Sequence, residues 1–196
     1  MKTILTSIVL LVNVCFVSAQ TWTSDQLTKA NTAKDSDVIN QAEKDAIMYI
    51  NLARLYPKEF AEYEVNDYFG PEKYGGYLEQ SSYRTSLIQH LNSMEPVHAL
   101  NFDQSLYEYA KCFAKEQGEE GYVGHDRKEC ADGNFAECCS YGMETGLDIA
   151  LQWLIDHDVP SLGHRDNCLN AEYTKIGLSI HPHTKWDWCC VADMIW

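Results

Sequence analysis

The ten residues S-L-G-H-R-D-N-C-L-N, Ser161 to Asn170, stand between two segments of opposite periodicity. Before them, T-G-L-D at Thr145 to Asp148 has the form of a capping box. It opens a helix to which Ile149, Leu151, Trp153 and Leu154 give apolar mass, until Pro160 closes it. After them, T-K-I-G-L-S-I-H alternates apolar Ile176, Leu178 and Ile180 with polar neighbours, as a half-buried strand does. The H-P-H-T-K-W-D segment turns that strand into a final one, W-C-C-V-A-D-M-I-W. The connection itself carries His164, one of only seven histidines, between Gly163 and Cys168.

Working back from this stretch, helical patterns dominate. Ile39, Ala42, Ala46, Ile50 and Ala53 recur at three- and four-residue steps, which predicts a helix from about Asp37 with one buried stripe. Pro57 ends it and starts a short second helix through Phe60 and Tyr63. Residues 67–80, with Gly70, Pro71, Gly75 and Gly76, read as a loop. A third helix follows around Thr85 to Leu91. Asp103 caps a fourth, which buries Leu106, Ala110, Phe113 and Ala114 and stops near Gly118. Gly121 to Gly142 is rich in glycine and cysteine. Residues 37–196 show no internal repeat and no linker, so the expectation is one α+β domain, helices first and a small antiparallel sheet interleaved late.

Residues 1–19 have a lysine, an apolar run from Ile4 to Val17 and small residues at Ser18 and Ala19, the pattern of a secretory signal peptide. Residues 20–36 are polar and read as a loose leader. No stretch is long and apolar enough for a transmembrane helix, so the expected location is secreted or periplasmic. The full chain carries a net charge of −14, which repels phosphate backbones and sets nucleic acid aside, together with simple electrostatic docking on anionic membranes. Seven of the eight cysteines follow residue 19. In an oxidising compartment most should pair, and no C-x-x-C pairs suggest a structural zinc site instead. Neighbours Cys138 and Cys139, like Cys189 and Cys190, point to opposite sides of an extended strand, so each pair should have separate partners.

Titratable groups stand beside glycines, cysteines or helix ends in four places: G-H-D-R (124–127), A-E-C-C (136–139), W-L-I-D (153–156) and G-H-R (163–165). In this order, with F-A-E-C-C-S-Y-G, A-L-Q-W-L-I-D and Y-T-K-I-G-L-S-I around them, the chain resembles the CAP superfamily of cysteine-rich secretory proteins, venom allergens and plant pathogenesis-related proteins, over residues 41–196. It is most similar to the compact, bacterial-type SCP-like branch. The resemblance implies an α-β-α sandwich with a small antiparallel sheet between helical layers, and a cleft holding two histidines and two acids. These are His125, His164, Glu137 and Asp156. Ala136 and Cys138 replace the glycine and asparagine of the family's G-E-N, and Asp156 stands where many members have glutamate. G-H-R-D-N replaces the longer animal pattern, so that branch's properties are not carried over.

On that resemblance Gly163 permits a tight turn that presents His164 to the cleft. Arg165 is a structural ion-pairing or capping residue, and disulfides among Cys130, Cys138, Cys139 and Cys168 staple the two histidine loops. No cofactor is required, though His125 and His164 make an acceptable pair for zinc or another divalent cation. Three function classes follow. One is a secreted module binding a lipid, peptide or cell-envelope ligand. Another is a hydrolase using Glu137 or a histidine as general base, and the third a disulfide-stapled surface protein with an inert cleft. Tyr68, Tyr74 and Tyr77 either roof the fold or, less simply, offer a carbohydrate platform.

Overall fold

The computed structural model describes residues 21–196; residues 1–19, the stretch expected to be a signal peptide, and Cys15 within it lie outside the described residues. The helices are α1 Ser24–Ala30, α2 Gln41–Leu55, α3 Pro57–Phe60, α4 Ser82–Ser93, α5 Gln104–Glu120, α6 Gly146–Ile155 and α7 Gly163–Leu169. The strands are β1 Asn101–Phe102, β2 Ala136–Tyr141, β3 Lys175–His183 and β4 Asp187–Ile195.

The sheet runs in the order β1-β3-β4-β2. The last three pair antiparallel as expected, and the two residues of β1 add a parallel edge to β3, so the sheet is mixed. Alternation along the strands divides the core into two layers. Cys139, Cys189 and Val191 meet Ala110, Phe113 and Ala114 of α5 on one face. Cys138, Cys190 and Ala192 join α2 and α6 on the other. The result is an α-β-α sandwich.

Helix starts follow local chemistry. α2 begins at Gln41, slightly later than its apolar stripe suggests, because Asn40 and Glu43 form the capping box. Glu43 also reaches the sheet, where Ser179 Oγ and the Ile180 N–H donate to it. Residues 21–36 are not a loose leader: Thr23 and Gln26 cap α1, Ala30 and Ala33 are buried, and Trp22 packs edge-on against Tyr63 and near Phe60. A few apolar contacts and one cap suffice to dock an otherwise polar segment.

Two buried arginines tie the layers together through backbone carbonyls. Arg54 donates to the carbonyls of His98, Cys168, Asn170 and Tyr173, and burial pulls its pKa down to about 10. Arg165 donates to the carbonyls of Leu154, Ile155 and Tyr83 and to Ser86 Oγ. The capping role expected for Arg165 is therefore what the structure shows at the C-terminal end of α6, with further bonds to the first turns of α4 and no ion pair.

The disulfide scheme differs from expectation. Cys112 on α5 bonds Cys130, while Cys138, Cys139, Cys168, Cys189 and Cys190 are buried free thiols. The strand does separate the adjacent cysteines, but into two apolar layers in which they pack as small hydrophobes.

α5 lies so close to the sheet that Gly177 of β3 has no room for a side chain: an added Cβ would stand 2.0 Å from the Tyr107 nitrogen. Gly177→Ala should therefore cost about 2 kcal/mol or more in chemical denaturation; a change near zero would contradict this packing.

Candidate functional site

The site is built on alternate residues of one strand. Glu137, Cys139 and Tyr141 fall on the same face of β2, and all three grip the Gly124–His125 turn. Glu137 Oε1 lies 2.8 Å from His125 Nδ1. The Cys139 thiol donates weakly to the Gly124 carbonyl at 3.5 Å. The Tyr141 hydroxyl accepts the Gly124 N–H at 2.9 Å. Gly124 has φ 119°, a backbone region open to glycine, and Gln117 of α5 donates to its carbonyl.

The rest of this loop is fastened from α5. The Cys112–Cys130 disulfide closes it, and Glu116 accepts the N–H groups of Lys128, Glu129 and Cys130 and the hydroxyl of Tyr122. Burial works against the Glu116 charge, yet these four donors hold its carboxyl down to about 2.

Behind Glu137 lies a charge cluster that sequence reasoning did not assemble. Arg127 Nε donates to Glu137 Oε2 at 3.1 Å, its Nη2 bonds the same oxygen, and Nη2 also reaches both Asp193 oxygens at 3.0 and 3.1 Å. Asp193 has no solvent exposure. Burial, opposed by Arg127 and reinforced by the Glu137 charge, pushes it to about 7. Glu137 is thus oriented by a guanidinium on one oxygen and offers the other to His125. That hydrogen bond, with burial opposing it, raises the His125 pKa above its ordinary value.

His164 is placed differently. Asp156 ends α6 in the left-handed region, φ 54°, and its Oδ1 meets His164 Nδ1 at 2.7 Å while Oδ2 accepts the His164 N–H at 3.0 Å. The shorter acid is well suited here: it caps α7 and orients the ring together. Leu162, also left-handed at φ 54°, precedes Gly163, so the sharp turn comes one residue before the glycine credited with it. Trp153 Nε1 donates to the Cys139 carbonyl, and Asn167 Nδ2 to the Glu137 carbonyl. These two bonds set α6 and α7, which carry Asp156 and His164 at their adjoining ends, against β2.

All four anticipated residues therefore converge. The two imidazole rings stand 6.4 Å apart, centroid to centroid, in a cleft of about 560 Å³ walled by Leu78, Val123, Trp153, Ile155, Val159 and the half-exposed Trp186. Of the loop tyrosines, Tyr68 donates to Asp148, Tyr74 to the Gly142 carbonyl, and Tyr77 lines the cleft. Donor atoms of His125, Glu137 and Cys139 lie within 4.8 Å of one another, a group that could hold a metal ion; His164 is not in it.

The sequence model of CAP, the cysteine-rich secretory protein family, matches residues 49–192, an interval containing all of these groups. Among solved structures, an outer surface protein from Borrelia burgdorferi is similar at 23% identity over 58% of this chain and 88% of that chain, with a TM-score of 0.41. No curated protein matches.

Because the Glu116 pKa is depressed in the folded state, its contribution is present above the ordinary 4.5 and lost as pH falls through about 2. Glu116→Gln should lose about 2 kcal/mol at pH 7, within the range for hydrogen bonds to a charged group, and show a flatter urea-midpoint profile between pH 5 and about 2 than the wild type; parallel profiles would contradict the clamp. Asp193 has the opposite sign: its contribution to stability should fall as pH rises from about 4 to about 7, and the difference between wild type and Asp193→Asn should narrow over that range.

Proposed function

Because the chain belongs to the CAP, or cysteine-rich secretory protein, family, whose match spans well over half its length, we propose that it is an exported module that binds an amphipathic ligand in the His125–His164 cleft. The observation that carries this reading is the orientation of the two rings. Each Nδ1 is tied back to a carboxylate, at 2.8 Å for His125 and 2.7 Å for His164, which leaves each Nε2 to meet whatever enters. Carboxylates accept, so Nδ1 carries the proton and the neutral rings present acceptor nitrogens. Protonated His125 presents a donor instead.

The walls supply the other half of the recognition. An apolar body, such as a lipid chain or the side chains of an envelope peptide, fits against Trp186, Val123, Ile155 and Val159, and a polar head fits between the imidazoles. No helix among the described residues is long and apolar enough to cross a membrane. Extracytoplasmic residence is accordingly proposed from the family and from the signal-like first 19 residues.

The hydrolase reading is less well supported. Cys139 Sγ lies 3.7 Å from His125, but at the same Nδ1 that Glu137 occupies. A nucleophile–base–acid relay needs the two ring nitrogens to serve different partners. Burial, then the Glu137 charge, also holds that thiol protonated. A divalent cation such as zinc between the Nε2 atoms of His125 and His164 is a weak, secondary function of the same cleft.

Anilinonaphthalene sulfonate, an apolar ring system with an anionic head, tests the proposal. Its fluorescence should rise on binding wild-type protein, and more strongly as pH falls through the raised His125 pKa, where Nε2–H becomes a donor. His125→Ala should weaken binding roughly tenfold and remove the pH dependence. Val159→Glu should abolish binding. Unchanged affinity in both variants would contradict the proposal.

A further inference from the structure

The Cys139 thiol has no part in cleft-ligand recognition, yet it is aimed at two strong donors. Its sulfur lies 3.7 Å from His125 Nδ1 and 3.7 Å from Glu137 Oε1, and those two atoms are 2.8 Å apart. We propose that His125 Nδ1, Glu137 Oε1 and Cys139 Sγ form a binding site for a thiophilic divalent cation of the zinc–cadmium type, with a fourth position open to the cleft.

The geometry is close to what such an ion needs. Tetrahedral bonds of about 2.3 Å to sulfur and about 2.0–2.2 Å to nitrogen and oxygen place neighbouring donors about 3.4–3.6 Å apart. Both sulfur distances already approach this spacing. Only the nitrogen–oxygen pair must open, by about 0.6 Å, as an ion replaces the proton between those atoms. His125, with 57% of its side chain exposed, can make that shift, whereas Glu137 is 10% exposed and held through Oε2 by Arg127. Glu137 and Cys139 are two residues apart on β2, so the strand itself fixes their separation and keeps both on one face. Cys139 also lines the cleft, which provides a route for the ion.

A mixed nitrogen, oxygen and sulfur set selects zinc-like ions over magnesium or calcium, which prefer oxygen alone. Binding releases the thiol proton to solvent, while the Nδ1 proton of neutral His125 is exchanged to Nε2, so that the ion meets a neutral imidazole and one net proton leaves. The site differs from a cation held between the two imidazoles. It uses the opposite nitrogen of His125, includes a thiolate and excludes His164. It also stands independently of the cleft-ligand reading.

Cadmium titration of the purified, metal-free protein, with the Cys112–Cys130 disulfide intact, reads the site directly, through the ultraviolet charge-transfer absorption of a cadmium–thiolate bond. Wild type and His164→Ala should develop the band to a one-to-one endpoint. Cys139→Ser should lose it, with Cys139→Ala as the alternative if circular dichroism shows that the serine variant does not fold. His125→Ala should weaken binding at least about tenfold, the lower end of the effect of losing even an outer-shell partner. Absence of the band in wild type, its persistence in both Cys139 variants, or its loss in His164→Ala would overturn the proposal. None of these outcomes bears on dye binding in the apolar cleft.

Discussion

Everything at the site depends on a strand setting side chains two residues apart on one face. Glu137, Cys139 and Tyr141 form a row on β2, and the otherwise irregular 121–135 segment is held to that row by three successive contacts. A loop has too few apolar contacts to hold a histidine ring in one orientation. A strand braced by β4 on one edge, with α5 beneath, is rigid enough to do it. His164 achieves the same result with a helix cap, since Asp156 closes α6, opens α7 and orients the ring with one carboxylate.

Polar burial is used as scaffolding throughout. Arg54 and Arg165 are buried without carboxylate partners because each meets several backbone carbonyls left unpaired at helix ends or in loops. Glu116 does the converse, gathering orphan N–H groups under the His125 loop. Arg127, between Glu137 and Asp193, is the one place among the described residues where buried charges of both signs meet, and it stands directly behind the site. Such a network is costly to break in part, so it fixes the Glu137 carboxylate in a single pose.

Much of this was legible from residues alone. Glycines before His125 and His164, cysteines after Glu137 and a helix end at Asp156 drew attention to the four titratable positions, but only the resemblance to the CAP family grouped them in one cleft. β3 showed itself through Ile176, Leu178 and Ile180, because only one of its faces is apolar. β2 did not, since A-E-C-C-S-Y buries cysteines on both faces and shows no polar-apolar alternation. The two-residue parallel β1 is too short to leave a pattern. The Cys112–Cys130 bond depends on where a loop folds back over α5, which no spacing reveals, and the five free thiols show that cysteine count alone overstates cross-linking. Arg127 and Asp193 lie far apart in sequence and became partners only through β2–β4 pairing. The docking of α1 turned on Trp22, Leu27, Ala30 and Ala33, a few apolar residues scattered through a polar stretch.

The central claim is that carboxylates hold both rings with Nδ1 inward and Nε2 turned to the cleft. Long-range proton–nitrogen correlation NMR of the imidazole nitrogens tests this most directly. At a pH where the rings are neutral, His125 and His164 should both show a protonated Nδ1 and an unprotonated Nε2. The Nε2–H tautomer in either ring, or the averaged shifts of a freely exchanging imidazole, would contradict the account.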